Sequence, residues 1–169
     1  MYETSEVCMA HNGDLANFIS DSSSDTIVRH VSLDTEYAHP TKGLMGVLKL
    51  VDHHWDLLSE TSPEHLSVVE HSWGLAPLPE GQKPSNMFTN ADLVPDGLML
   101  VAEVKVIRPA DGLTKKDDKK VEDIFVKYFK KRKSGKPFLF DLHPAQCVRR
   151  KNSGPAIFVD IEPRLMVRR

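Results

Sequence analysis

After the turn signal Pro95-Asp96-Gly97 comes a run, Leu98 to Ile107, whose side chains alternate in character. Leu98, Leu100, Ala102, Val104 and Val106 fall on one face, and the other mixes Met99 and Val101 with Glu103 and Lys105. This pattern predicts a half-buried strand in a mainly antiparallel sheet. Such a strand must lay its apolar face against another layer.

Two helical patterns can supply that layer. Leu44, Leu48, Val51, Trp55 and Leu58 form one apolar stripe, which predicts a helix from an N-cap at Thr41 to Leu58, weakened early by Gly43 and Gly46. Val121, Ile124, Phe125, Tyr128 and Phe129 form a second stripe within a helix from Asp117 to Lys133. Its last turn is Lys130-Lys131-Arg132-Lys133, where the helix dipole favours cations.

Other elements read less sharply. Thr26 to Leu33 reads as a strand with Ile27, Val31 and Leu33 on one face. Residues 59–95, punctuated by Pro63, Pro77, Pro79 and Pro84, read as a long loop with a short strand at His65–Glu70. Trp73, Leu75 and Leu78 are its apolar contact points. A closing hairpin pairs a strand at Phe138, Phe140 and Leu142 with one at Ile157, Val159 and Ile161, across the basic turn Arg149–Gly154. Residues 1–25 are acidic and Ser-rich, which predicts a mobile arm. The expected class is therefore α+β: a central, mainly antiparallel sheet with two flanking amphipathic helices and a mobile N-terminal arm. One domain spans 26–162, and a basic tail spans 163–169.

Charge is unevenly distributed. Residues 1–104 carry 4 Lys/Arg against 16 Asp/Glu, a net of -12; residues 105–169 carry 18 against 8, a net of +10. Such a split points to an anionic partner and permits head-to-tail self-association. The candidate anion-binding residues are Lys115, Lys116, Lys119, Lys120, Lys127, Lys130, Lys131, Arg132, Lys133, Lys136, Arg149, Arg150, Lys151, Arg168 and Arg169. The self-association candidates are the apolar trio Leu15, Phe18 and Ile19 on the arm, with Trp73 and Leu75. Neither a secretory signal nor a membrane-spanning run is visible, so any membrane contact is expected to be peripheral. Cys8 and Cys147 are expected to stay reduced and separate.

Catalytic patterns are weak, and the expectation is a non-enzyme without metal or cofactor. Pro95-Asp96 upstream of Glu103-Val104-Lys105 resembles the Pro-Asp, acid-x-Lys pattern of certain nucleases. Along one strand, however, Asp96 and Glu103 would stand roughly 23 Å apart and could not share an ion. If Pro95-Asp96-Gly97 is the turn, Asp92 could replace Asp96, with His30 as a further ligand as in cap-snatching endonucleases. Asp34-Thr35-Glu36 resembles the first motif of proofreading exonucleases but reads better as a solvated strand end. Asp52-His53-His54 reads as a polar helix face, because adjacent helical histidines point about 100° apart.

The order of elements resembles the matrix proteins of rhabdoviruses, with a size closest to the plant-infecting members. Val51-Asp52-His53-His54-Trp55-Asp56 is similar to a His-Trp-Asp helix end, Gly97 to Val104 to the family's central strand, and Val148–Gly154 through Asp160 to its C-terminal elements. The likeness covers about residues 26–162. It implies a structural protein of the virion and host cytoplasm that self-associates, condenses the nucleocapsid and links it to the anionic inner membrane leaflet. A glycoprotein cytoplasmic tail is a further partner it allows. Animal members carry a basic arm with Pro-Pro-x-Tyr motifs, whereas this arm is acidic and lacks them. Membrane contact therefore falls to the basic C-terminal surface. A second resemblance, through Trp73-Gly74, Asp92–Leu98 and Glu103-Val104, is to the second half of a MATH (TRAF-like) domain. It implies an adaptor with Trp73 and Leu75 in a peptide groove.

Overall fold

The computed structural model describes residues 26–35, 43–81, 93–107, 110–150 and 153–167. Among them the chain is mixed α+β, with two α-helices and ten strands divided among three small sheets. Contacts gather into two compact units, Met1–Leu48 with Glu70–Val106 and Lys49–Val69 with Ile107–Arg169. Leu15, Phe18, Ile19, Thr41, Asp92, Lys151, Arg168 and Arg169 lie outside the described residues.

The first unit holds β1 (Thr26–His30), β2 (Asp34–Thr35), the opening turns of α1 (Gly43–Thr61), β4 (His71–Pro77) and β5 (Leu98–Lys105). β5 is central in an antiparallel sheet of order β1-β5-β4. The Pro-Asp-Gly turn forms as expected: Leu98 N–H donates to the Pro95 carbonyl at 3.1 Å, and Gly97 takes a φ of +78° that suits glycine. Burial of β5 differs from expectation. Met99, Leu100, Val101 and Ala102 are all buried, so both faces are covered along its first half. Val28, Ala76, Met99 and Val101 cluster on one face, and only Glu103 and Lys105 carry that face outward.

The strand expected at 26–33 ends at His30, and Val31 and Leu33 of its expected face are buried just beyond it. Within it, however, Ile27 is exposed and Val28 is fully buried, because Val28 sits opposite Glu103 on the Met99 side of the sheet. Asp34 and Thr35 are buried in β2, which corrects the solvated strand end. The loop expected at 59–95 contains β4, seven residues paired with β5 from His71↔Val104 to Pro77↔Leu98. Trp73 lies in that strand at 0% exposure, so it is core and cannot serve as a self-association or peptide-groove residue. Leu75, also in β4, is half-buried.

The second unit holds the rest of α1, β3 (Leu66–Val68), β6 (Ala110–Asp111), α2 (Lys115–Lys130), β7 (Pro137–Leu139), a 3-10 turn at Pro144–Gln146, β8 (Cys147–Arg150), β9 (Ser153–Phe158) and β10 (Arg164–Val167). Its four-stranded sheet runs β3-β9-β8-β6, with β3 and β9 parallel and the other pairs antiparallel. Val51, Trp55 and Leu58 are buried from α1, as are Val121, Ile124, Phe125 and Tyr128 from α2. Phe158 lies against Trp55 at 5.0 Å and Phe125 at 6.1 Å between ring centroids.

Helix α2 starts two residues before the expected Asp117, because Thr114 caps it. The Thr114 hydroxyl accepts the Asp117 N–H at 3.2 Å, and Asp117 and Asp118 suit the positive helix end. The helix stops at Lys130, three residues short of the expected Lys133. The closing hairpin is re-paired. β8, not the Phe138 strand, meets β9, and β7 pairs instead with β10, Leu139 opposite Leu165. Four residues of the expected basic tail, Arg164–Val167, are thus strand, with Leu165 at 0% exposure.

A candidate anion-binding cleft

The second unit carries the basic charge. By unit, Lys/Arg against Asp/Glu count 4 against 12 in the first, a net of -8, and 18 against 12 in the second, a net of +6. Helix α2 concentrates that charge at its end. Lys131 caps the helix, its N–H donating to the Tyr128 carbonyl at 3.1 Å, and Arg132 N–H donates to Phe129. Lys136 N–H then donates to the Lys133 carbonyl at 3.1 Å, closing a turn in which Gly135 takes φ +76°. Two consecutive backbone turns thus hold Lys130, Lys131, Arg132, Lys133 and Lys136 close together, all of them exposed.

Lys131, Arg132, Lys133 and Lys136 border a cleft of about 330 Å³. His54, Leu57, Glu60 and Thr61 of α1 form one wall; Tyr128 and Lys131–Lys133 form another; Lys136, Pro137 and Phe138 complete it. The Arg132 guanidinium lies 5.5 Å from the Phe138 ring centre and 5.9 Å from that of Phe129, so its planar charge rests on aromatic faces.

One hydrogen-bonded chain sets the cleft floor. Leu139 N–H donates to the Tyr128 hydroxyl at 2.8 Å, and that hydroxyl lies 2.8 Å from His54 Nδ1. The Tyr128 hydroxyl thus links the Leu139 backbone to the His54 ring. Burial, and then the neighbouring His53, push the His54 pKa down to about 4. Burial raises that of Tyr128, so both groups are neutral at pH 7. His54 is therefore half-buried and bonded to Tyr128, so it is more than a position on a polar helix face.

The His54 shift has a pH consequence. An unfolded histidine takes up its proton near 6.5, while the folded one resists protonation down to about 4. Stability is then fully present above pH 6.5 and falls as pH drops toward 4. Urea unfolding should show wild type losing more stability between pH 7 and pH 5 than His54→Gln. An identical loss in the variant would show that this imidazole does not couple folding to pH.

The remaining candidate cations scatter. Lys115, Lys116, Lys119 and Lys127 are exposed along α2, while Lys120 is half-buried beside a smaller hollow with Glu64, His65, Asp117 and Arg149. Arg149 is an internal tie rather than a docking cation: Nη1 donates to Asp117 Oδ2 at 3.0 Å, and Nε to the Gly154 carbonyl at 3.3 Å. Arg150 lies in β8, its backbone opposite Ser153. Arg164 is likewise turned inward, 3.4 Å from Asp160 and 3.6 Å from Asp141. Leu57, His54, Tyr128 and Phe138 belong to the cleft without any signal in the sequence, because nothing local pairs α1 with the end of α2.

The nuclease pattern places Glu103 and Lys105 beside Thr26, Glu70, His71 and Ser72 in an open hollow of the first unit. Glu103 accepts the Thr26 hydroxyl at 3.0 Å, and Lys105 Nζ lies 3.7 Å from Glu70. Asp96 stays in the turn before β5, and among the described residues no group of three His, Cys, Asp or Glu side chains is placed to hold a metal ion. Cys147 is a buried free cysteine whose pKa burial pushes up to about 12, which leaves it a poor nucleophile. Compared with models of known families, with curated proteins and with solved structures, the chain matches none.

Proposed function

We propose that this protein is a matrix-type structural component of a virion, which self-associates, condenses the nucleocapsid and links it to the anionic inner face of a membrane. The observation that carries the reading is the exposed cation group at the end of α2, Lys130, Lys131, Arg132, Lys133 and Lys136, held together by the backbone. Each basic residue near an anionic surface contributes about 1 kcal/mol, so a group of this size can hold a peripheral protein. No helix among the described residues is long and apolar enough to cross a membrane, and the proposed contact is peripheral. The opposite net charges of the two units, -8 and +6, favour self-association between copies. In this reading the β1-β5-β4 sheet is the counterpart of the central sheet of rhabdovirus matrix proteins, and a glycoprotein cytoplasmic tail is a further partner.

Electron microscopy of the purified protein, alone and with anionic liposomes, tests the reading. Filaments or coated vesicles are the expected result. A monodisperse monomer that leaves liposomes bare would remove it. The peptide-adaptor reading has lost its groove tryptophan, since Trp73 is fully buried.

A further inference from the structure

We propose that the cleft bounded by His54, Leu57, Tyr128, Lys133, Lys136 and Phe138 is a discrete site for an acidic phospholipid whose headgroup carries a phosphate monoester. The inference rests on the anionic-surface reading above and deepens it, replacing a diffuse attraction with a single lipid seated in one place.

Charge is the first argument. Four cations, Lys131, Arg132, Lys133 and Lys136, line the cleft against one carboxylate, Glu60, a net of +3. His54 adds nothing at pH 7, because burial keeps it neutral. A phosphate monoester carries about -1.5 to -2 at pH 7 and three acceptor oxygens, whereas a phosphodiester or a carboxylate carries one charge. The compact dianion is the better match for several donors converging on a small volume. Arginine adds a planar fork whose geometry fits phosphate. The helix cap and the following turn fix the backbone that carries these residues, so binding has only their side chains to order.

The apolar walls decide what the phosphate is attached to. A cleft of about 330 Å³ is over twice the ~150 Å³ of an apolar cavity that takes benzene, so it has room for more than the phosphate. Its aromatic rings are already engaged. Arg132 lies over Phe138, and Tyr128 meets His54 and Phe129 edge to face. The apolar surface left on offer is aliphatic, Leu57 at 39% exposure together with Pro137. That suits the glycerol and first acyl carbons of a lipid better than a nucleobase, which needs a free ring face.

The test uses the full chain and phosphatidylcholine vesicles carrying either a phosphatidylinositol monophosphate or phosphatidylserine at matched surface charge. The expected result is binding at least tenfold tighter to the monoester lipid. Lys133→Gln with Lys136→Gln should bring the two vesicles to parity. Lys115→Gln with Lys116→Gln removes the same charge about 22 Å away along the helix. That change should weaken both vesicles by one factor and keep the preference. Equal binding of wild type to both vesicles overturns the site while leaving anionic docking intact; binding to neither removes both. Soluble inositol phosphate held as tightly as the vesicle would overturn the lipid assignment. So would loss of single-stranded RNA binding, rather than vesicle binding, in Lys133→Gln with Lys136→Gln.

Discussion

Changing Lys130, Lys131, Lys133 and Lys136 together to Glu should reduce binding to anionic vesicles by about a thousandfold or more. Each cation near such a surface contributes about 1 kcal/mol, so the loss of four alone removes about 4 kcal/mol. The introduced carboxylates add repulsion to that loss. All four side chains are exposed, and the buried stripe of α2 uses Val121, Ile124, Phe125 and Tyr128, so the fold should survive. Arg132 is left in place because its guanidinium packs on Phe129 and Phe138, and its removal would disturb packing as well as charge. Wild-type binding should itself weaken steeply with salt, since screening shortens the interaction to about 8 Å at 0.15 M. Vesicle flotation at two salt concentrations, with circular dichroism of the variant, makes the measurement. A folded variant that still floats with vesicles at low salt would reduce the basic surface to solvated decoration.

Phe158→Ala should cost about 3–5 kcal/mol, a large part of the 5–15 kcal/mol by which domains are stable. The ring is 1% exposed and sits between Trp55 and Phe125, joining α1, α2 and the sheet of the second unit. Its strand is paired on both edges, and its carbonyl accepts the Val69 N–H at 3.0 Å, so the backbone cannot collapse easily into the void. Phe158→Leu keeps most of the volume and should cost less than half as much. Urea denaturation of the two variants separates these cases. A loss below about 1 kcal/mol for Phe158→Ala would mean that this aromatic cluster does not organise the unit.

Elements whose stability is written within a dozen residues were legible. The stripe from Val121 to Tyr128 and the cation run after it mark α2, and the Pro-Asp-Gly turn marks the start of β5. The stripe Leu48, Val51, Trp55 and Leu58 marks α1 just as clearly. Strand β4 was not legible. Gly74, Pro77 and Pro79 signal a loop locally, but seven registered partners on β5 outweigh those breakers. Parity in β1 was equally hidden: Ile27 and Val28 are both apolar, and only the pairing with β5 decides which is buried.

The candidate site divides along the same line. Its cations were visible as composition, a net of +10 after residue 104, because charge is a property of residues and needs no partner to be counted. Which of them are left exposed was not visible, since Arg149 and Arg164 resemble Lys133 and Lys136 until their carboxylates are brought beside them. Nor could periodicity bring His54 to Tyr128, 74 residues away, or choose β8 over β7 as the partner of β9. By itself the sequence determined the helices, the strongest strand and the sign of the charge, all of which follow from local periodicity and composition. Only the tertiary structure decided strand pairing, the inward turn of Arg149 and Arg164 and the existence of a cleft. Those depend on contacts between distant segments, whose energies no short window of sequence contains.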